Sequence, residues 1–263
     1  MDKQRRFVFG EVAELYDEAR PGYPVALFDD LGSLGGLGPD VRVLEVGAGT
    51  GKATVELGRR GSDVTALEPS QAMAAVARRR CADLPNVHVE VSTFEDWAAP
   101  AGSYDLIAAA QSWHWVEEDV GFSRAAELLS PGGWLALFWN SPVERGGAAA
   151  GEIDAAYEEH APPSGRMASQ WAGGRGSKAA RDWGADLAGS GLFGDVVERH
   201  RRWTTVYSTE EYLRLMRTHS DHRLLEEERR EPLLAALGRI IDRHGGAIEV
   251  VYVTDLYAAP THS

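Results

Sequence analysis

Three glycines at alternate positions, between a predicted strand and a predicted helix, constrain the fold of this 263-residue chain more than any other feature. Residues 41–46 have the apolar content of a buried strand and lead directly into Gly47, Gly49 and Gly51. Residues 50–60 then have the pattern of a helix with arginines near its end. Glycine permits positive φ and lets a ligand lie against bare backbone. This order of elements is typical of nucleotide-binding α/β domains.

The alternation of strand and helix continues along the chain. Strands are predicted at residues 63–67, 87–91, 105–110 and 134–138, helices at 69–80 and 117–129, and a turn at 130–133. Ser70 is placed to cap the second helix. Strands separated by single helices form βαβ units, so this part predicts a parallel, doubly wound α/β sheet. Beyond it, the pattern predicts helical patches at 152–160 and 181–188, strands at 196–207 and 248–257, and helices over 209–243.

Composition narrows the possible partners and setting. The chain has 27 Lys and Arg against 40 Asp and Glu, and the resulting net charge of −13 opposes binding to nucleic-acid phosphates. Its single cysteine, Cys81, excludes an intrachain disulfide and a thiolate metal cluster and fits a reducing compartment. No stretch has the length and apolarity of a signal peptide or a membrane span. We therefore expect a cytoplasmic protein that acts on a small molecule, without nucleic-acid or membrane partners.

An acidic residue at the end of the second predicted strand points to the ligand. Glu68 lies 17 residues beyond Gly51, where a carboxylate can accept hydrogen bonds from both hydroxyls of a ribose. The glycine loop and this acid together predict an adenosine-containing ligand at the carboxyl edge of the sheet. The spacing is Gly-x-Gly-x-Gly, which differs from the dinucleotide pattern, and Lys52 is followed by Ala53 rather than by the Ser or Thr of a phosphate loop.

Several segments resemble the class I S-adenosylmethionine-dependent methyltransferases. Residues 43–51, Val-Leu-Glu-Val-Gly-Ala-Gly-Thr-Gly, are similar to the first motif of that family, and residues 66–70 are similar to its acidic second motif. Residues 92–96, 104–111 and 129–135 resemble the segments around its third, fourth and fifth strands. Tyr16, the Arg-Pro-Gly-Tyr-Pro run at 20–24 and the Ser-Trp-His-Trp run at 112–115 resemble the small-molecule branch, which includes trans-aconitate-methyltransferase-like and natural-product enzymes. The resemblance covers residues 9–138 and is looser beyond them.

This resemblance implies a fold and a cofactor. The fold would be α/β, a doubly wound, seven-stranded, mostly parallel sheet with an antiparallel last strand and a helical lid inserted at about 209–243. The cofactor would be S-adenosylmethionine, with S-adenosylhomocysteine as its product, and no metal is expected. The implied cofactor-binding residues are Tyr16, Arg20, Glu45, Gly47, Gly49, Thr50, Gly51, Glu68, Pro69, Met73, Thr93, Phe94 and Gln111.

The resemblance also assigns roles within this set. Glu68 would hold the ribose hydroxyls, and Gln111 would lie beside the sulfonium. Phe94 would offer its backbone N–H to the adenine, next to Thr93, where many relatives carry Asp. The N-terminal helix and Arg20 would close over the cofactor.

The reaction implied is transfer of a methyl group to a small organic acceptor, with oxygen the commonest acceptor atom, followed by carbon and nitrogen. His114 follows the fourth strand, where the acceptor should approach, and is either a catalytic base or part of the pocket wall. His219 and His222 in the lid have no third residue at a recognisable spacing that could complete a metal site with them. The predicted substrate-binding residues are Trp113, Trp115, Tyr212, His219 and His222.

Two other classes of function remain open at this point. One is a nicotinamide-dependent oxidoreductase, and the other is a non-catalytic or non-methylating relative that binds S-adenosylmethionine. The predicted organisation is a cofactor-capping helical segment at 1–40, the α/β core at 41–140, a Gly/Ala-rich helical connection at 141–195, and the last two strands with their insertion at 196–263. A monomer or a homodimer is expected.

Overall fold

The computed structural model describes residues 13–161 and 181–262, and this part of the chain forms a seven-stranded sheet. The strands are β1 (Arg42–Val46), β2 (Asp63–Leu67), β3 (Val87–Glu90), β4 (Tyr104–Ala110), β5 (Leu129–Arg145), β6 (Val197–Ser208) and β7 (Ala247–Pro260). Their order across the sheet is β3-β2-β1-β4-β5-β7-β6. The first five are parallel, whereas β7 runs antiparallel to both of its neighbours. The predicted α/β fold class, with its antiparallel last strand, is confirmed.

Helices cover both faces of this sheet. They are α1 (Ala13–Ala19), α2 (Val25–Leu34), α3 (Lys52–Arg59), α4 (Gln71–Arg80), α5 (Glu118–Leu128), α6 (Ala149–His160), α7 (Trp183–Gly189), α8 (Thr209–Thr218), α9 (Ser220–Arg223) and α10 (Glu227–Arg243). Helices α2, α3 and α4 pack on one face, and α5 and α7 pack on the other. Residues 106–110 of strand β4 are all apolar because they alternate between these two layers: Leu106 faces the first and Ile107 the second.

Three local predictions can be compared with the structure directly. Ser70 caps α4, since its hydroxyl accepts a hydrogen bond from the N–H of Met73, as predicted. The predicted strand at 134–138 is too short, because β5 starts at Leu129 and continues in its pairing with β7 as far as Arg145. Tyr104 pairs with Leu129 but Leu106 pairs with Trp134, so the predicted turn at 130–133 forms an irregularity inside β5.

Three of the helices that follow β5 form a second apolar layer beyond the edge of the central core. Helices α6, α8 and α10 pack together over the end of β6 and the start of β7. The buried residues of this layer include Ile153, Leu215, Leu237 and Val250. The predicted insertion over 209–243 corresponds to α8, α9 and α10. In the described ranges, we find no helix whose length and apolarity would let it cross a membrane.

Candidate active site

The loop after β1 combines close packing with exposed backbone. Gly47, Gly49 and Gly51 have φ angles of 69°, 60° and 84°. A Cβ on Gly47 would lie 2.6 Å from the Cβ of Ser112, and one on Gly51 would lie 3.2 Å from the Cα of Ala77 in α4. At Gly49 a Cβ would meet no atom of the described residues within 4 Å. Two of the glycines thus let the loop pack against its neighbours, whereas Gly49 leaves open space beside the backbone.

The carboxylate of Glu68, just after β2, is held by two backbone amides. The N–H of Gly49 donates to Oε2 at 2.8 Å, and the N–H of Ser70 donates to Oε1 at 2.8 Å. Burial raises the pKa of Glu68, although both hydrogen bonds act in the opposite direction. A carboxylate oxygen that accepts one hydrogen bond can accept another. The side chain is therefore positioned to accept hydrogen bonds from two neighbouring donors, such as the hydroxyls of a ribose.

A cavity with a volume of about 170 Å³ lies where these strands end. The structure brings the following predicted cofactor-binding residues to its wall: Arg20, Gly47, Gly49, Thr50, Glu68, Pro69, Met73, Thr93, Phe94 and Gln111. Lining residues that the sequence reasoning missed include Tyr23, Lys52, Ser112 and Val116. Tyr23 and Lys52 each had a local signal, because they belong to the Arg-Pro-Gly-Tyr-Pro run and to the end of the glycine loop.

Two of the residues predicted to bind the cofactor lie outside the cavity wall. Gly51 packs against α4, as described above, and Glu45 is fully buried within β1. Thr54 of α3 donates a hydrogen bond from Oγ1 to Oε2 of Glu45 at 2.5 Å, and Oε1 has no hydrogen-bond partner among the described residues. Burial raises the pKa of Glu45 to about 8. Glu45 is therefore a buried carboxyl group within β1 and not part of the cavity wall.

The segment after β3 forms another part of the wall. Both Thr93 and Phe94 line the cavity. The hydroxyl of Thr93 donates to Oδ2 of Asp96 at 2.7 Å and accepts from the N–H of Asp96 at 3.2 Å, so it is held by its own loop. Trp113, predicted to bind substrate, is buried behind this wall, with its ring 5.6 Å from that of Phe94.

At the end of β4 the backbone adopts an unusual conformation. Gln111 has a φ of 57°, which is uncommon for a residue other than glycine. Its N–H donates to the carbonyl of Phe138 at 2.8 Å, and its side-chain amide donates to the hydroxyl of Tyr23 at 3.4 Å. Next to it, the hydroxyl of Ser112 donates to the carbonyl of Val46, which ties the ends of β1 and β4 together. Strained backbone that the surrounding structure holds in place is typical of functional sites.

A short 3-10 helix over Trp113–Trp115 follows. Trp115 and Val116 line the cavity, whereas His114 is not among the lining residues. The rings of His114 and Trp115 lie 4.8 Å apart, inclined at 43°. His114 is therefore in contact with a residue of the cavity wall but is not itself one of the lining residues.

The N-terminal segment reaches the cavity through Arg20. Its guanidinium donates to the hydroxyl of Thr218 at 2.9 Å and to the carbonyl of the same residue at 3.2 Å, which connects the cavity wall to the end of α8. Tyr16 lies in α1, but its side chain is outside the described part of the structure.

Tyr212, His219 and His222 belong to the second apolar layer and do not line the cavity. His222 Nε2 lies 2.9 Å from the hydroxyl of Tyr157, and the rings of the two histidines are 5.9 Å apart. Burial lowers the pKa of His222 to about 4 and that of His219 well below its ordinary value, so both are neutral at pH 7. Over the described ranges, no three His, Cys, Asp or Glu side chains are grouped so that they could hold a metal ion.

Comparisons with known proteins agree with this geometry. Residues 43–133 match the methyltransferase domain family. An uncharacterized methyltransferase of Mycobacterium tuberculosis is 39% identical over 137 residues, which are 52% of this chain and 54% of the relative. A trans-aconitate 2-methyltransferase of an Acidovorax species is 38% identical over 98 residues, 36% of each chain. The chain thus spans about half the length, or less, of these curated relatives.

A solved structure extends the similarity to the whole fold. The putative type II methyltransferase of Anaeromyxobacter dehalogenans superposes with a TM-score of 0.62 at 22% identity, covering 92% of this chain and 97% of that one. With the glycine loop and the acid after β2, the strand order β3-β2-β1-β4-β5-β7-β6 gives this chain the class I methyltransferase fold. The sequence match to methyltransferases thus covers residues 43–133 and about half of the relative's length, and the fold is similar over most of the chain.

Proposed function

We propose that this protein transfers a methyl group from S-adenosylmethionine to a small organic acceptor, at an oxygen atom of that acceptor. The observation that carries the proposal is the contact between Gly49 and Glu68. It places bare backbone and a fixed carboxylate on the wall of one cavity. These are the two features that an adenosine-containing ligand requires.

The order of the strands suggests how the cofactor would lie. In the sheet, β3 lies next to β2, β2 next to β1, and β1 next to β4, so the ends of these strands lie side by side. Phe94 follows β3, Glu68 follows β2, the glycine loop follows β1 and Gln111 follows β4. Phe94 would therefore hold the adenine, Glu68 the ribose and the glycine loop the methionine portion, and Gln111 would lie beside the sulfonium.

The residues around this position would mainly align the acceptor and exclude water. S-adenosylmethionine supplies an activated methyl group on its sulfonium, so in-line placement of a nucleophile is the chief requirement. Tyr23, whose hydroxyl accepts a hydrogen bond from Gln111, and the ring of Trp115 would restrict where the acceptor can lie. A hydroxyl acceptor also has to lose its proton, and His114 is proposed as the base that takes it.

Two observations support a small acceptor. The net charge of −13 disfavours a nucleic-acid substrate. A relative over 98 residues is a trans-aconitate 2-methyltransferase, whose substrate is small.

The test begins with the cofactor. Calorimetric titration of the wild type with S-adenosylmethionine, S-adenosylhomocysteine and NADH should give micromolar binding of the two sulfur ligands only. Glu68→Ala should abolish that binding. Binding of NADH alone would overturn the proposal in favour of an oxidoreductase.

A turnover assay distinguishes a methyltransferase from a non-methylating relative that only binds S-adenosylmethionine. A panel of small hydroxy, carboxylic, amine and activated-carbon compounds should include acceptors that yield S-adenosylhomocysteine and a methylated product in equal amounts. Tight cofactor binding without product from any acceptor would favour a non-methylating relative.

A further inference from the structure

Lys52 lines the cavity and carries a positive charge, but the proposed function gives it no role. It is the first residue of α3, directly after Gly51, and it is the one lysine within the described residues. Its side chain is 17% exposed, so most of it is shielded from water. A long, flexible cation in such a position calls for a partner, because burying a charge without compensation is unfavourable.

Within the described residues, the anion nearest to Lys52 is a distant one. Nζ lies 3.9 Å from Oδ1 of Asp17 in α1, and it makes no hydrogen bond to any of the described residues. Asp17 is itself engaged by the guanidinium of Arg80, which contacts both of its carboxylate oxygens. Burial lowers the pKa of Lys52, and the charge of Arg80 acts in the same direction. Lys52 is therefore poorly compensated by the carboxylate nearest to it.

The location of Lys52 indicates which part of a ligand it would meet. It follows β1, and the neighbouring positions in the sheet are the end of β2, with Glu68, on one side and the end of β4, with Gln111, on the other. The end of β3, with Phe94, lies beyond β2. If the ribose lies at Glu68 and the adenine at Phe94, the amino-acid end of the ligand lies over β1. An anion is also favoured there because the N-terminus of α3 begins at Lys52.

We propose that Lys52 binds the α-carboxylate of the methionine portion of S-adenosylmethionine. This inference rests on the proposed function and adds to it the residue that recognises the charged end of the cofactor. A direct ammonium–carboxylate hydrogen bond replaces the distant pairing with Asp17, whose charge stays compensated by Arg80. Lys52 would thus select cofactors that carry the carboxylate.

The experiment compares two ligands that differ in that carboxylate alone. The dissociation constants of S-adenosylmethionine and decarboxylated S-adenosylmethionine are measured by calorimetry for the wild type and for Lys52→Met. We expect the wild type to favour S-adenosylmethionine by about tenfold or more, as a charge-assisted hydrogen bond would give. Lys52→Met should lose most of this preference while binding the decarboxylated ligand as the wild type does. Lys52→Arg should keep part of it.

Two controls separate recognition from folding. Asp17→Asn removes the same ion pair but leaves the ammonium in place, so it should keep the preference for the carboxylate. If it instead reproduced Lys52→Met, the lysine would act only by anchoring α1, and the proposal would be wrong. Arg59→Met changes an exposed cation at the other end of α3, with 65% of its side chain accessible, and should bind both ligands normally.

The outcomes also separate this inference from the function on which it rests. Loss of affinity for both ligands by the same factor in Lys52→Met, or an unchanged preference, would overturn the role of Lys52 alone. A wild type that binds neither ligand would overturn the proposed function, and the assignment of Lys52 with it.

Discussion

The backbone N–H of Gly49 donates a hydrogen bond to the carboxylate of Glu68 at 2.8 Å, which fixes the loop after β1 to the end of β2. Glu68→Gln replaces one acceptor oxygen by an NH₂ group, which cannot accept from Gly49 or Ser70. Because hydrogen bonds to charged groups contribute about 1.5–3 kcal/mol each, we expect affinity for S-adenosylhomocysteine to fall by about 10- to 100-fold. Calorimetry measures the change. Glu127→Gln, on the exposed side of α5, should bind normally.

The two glycines that begin the loop should respond differently to the same substitution. Gly47→Ala adds a Cβ only 2.6 Å from that of Ser112, at a φ of 69°. We expect it to lower the free energy of unfolding by about 2–4 kcal/mol, through strain and overpacking. Gly49→Ala has open space and should cost only about 1–2 kcal/mol, from its positive φ.

Gly49→Ala should nevertheless lose affinity for S-adenosylhomocysteine by at least about tenfold, because its new methyl group enters the proposed ligand site. Thermal unfolding and calorimetry measure the two effects separately. If Gly49→Ala bound the ligand as the wild type does, the loop would not contact the ligand in the way proposed.

Gln111 offers a test of whether backbone strain is retained for function. Gln111→Gly and Gln111→Ala both remove the amide that contacts Tyr23, but only glycine adopts a φ of 57° without strain. We expect Gln111→Gly to be more stable than Gln111→Ala by about 1 kcal/mol. Both should turn over acceptor at least about tenfold more slowly than the wild type, since misplaced reactants are costly. Urea unfolding and initial rates provide the comparison, and equal stabilities would show that position 111 carries no strain.

The sequence contained enough local information for the core and not enough for its periphery. Strand β4 was predictable because its residues 106–110, buried between two layers of helices, form a continuous apolar run. The outer half of β5 was not, since it is only partly buried and exists through pairing with β7, more than a hundred residues away. Gly49 and Glu68 were found by spacing along two adjacent strands, and the structure places both on one cavity wall.

The positions of Trp113 and His222 needed tertiary information. A run of Trp-His-Trp does not indicate which ring turns toward the cavity. The structure buries Trp113 against Phe94 and leaves Trp115 at the wall. In the same way, helical spacing groups His222 with His219 but does not reveal that α6 supplies Tyr157 as a hydrogen-bond partner.

The proposed base can be tested through the rate of turnover. His114→Gln removes the imidazole and keeps a polar side chain beside Trp115. If His114 removes the acceptor proton, turnover of a hydroxyl acceptor should fall by about 10²- to 10⁴-fold while affinity for S-adenosylhomocysteine stays unchanged. Near-normal turnover in His114→Gln would leave the histidine as a part of the wall alone.

The buried carboxyl of Glu45 should make the protein less stable as pH rises. Burial raises its pKa in the folded chain to about 8, above the ordinary value of 4.5. Between those values the folded state binds a proton that the unfolded state has released. The stabilisation is therefore complete below about pH 4.5 and is lost as the pH rises toward 8.

Glu45→Gln keeps the shape of the protonated side chain and removes its titration. We expect the variant's advantage in free energy of unfolding to grow by on the order of 1 kcal/mol per pH unit between pH 5 and 8. Urea unfolding at pH 5.5, 7 and 8.5 measures this difference, with the surface variant Glu56→Gln as the control. Glu68 shifts in the same direction, so Glu45→Gln should flatten the pH profile without abolishing its slope. Parallel profiles for the wild type and Glu45→Gln would mean that Glu45 is ionised in the folded protein, held by Thr54 and by solvent that reaches its second oxygen.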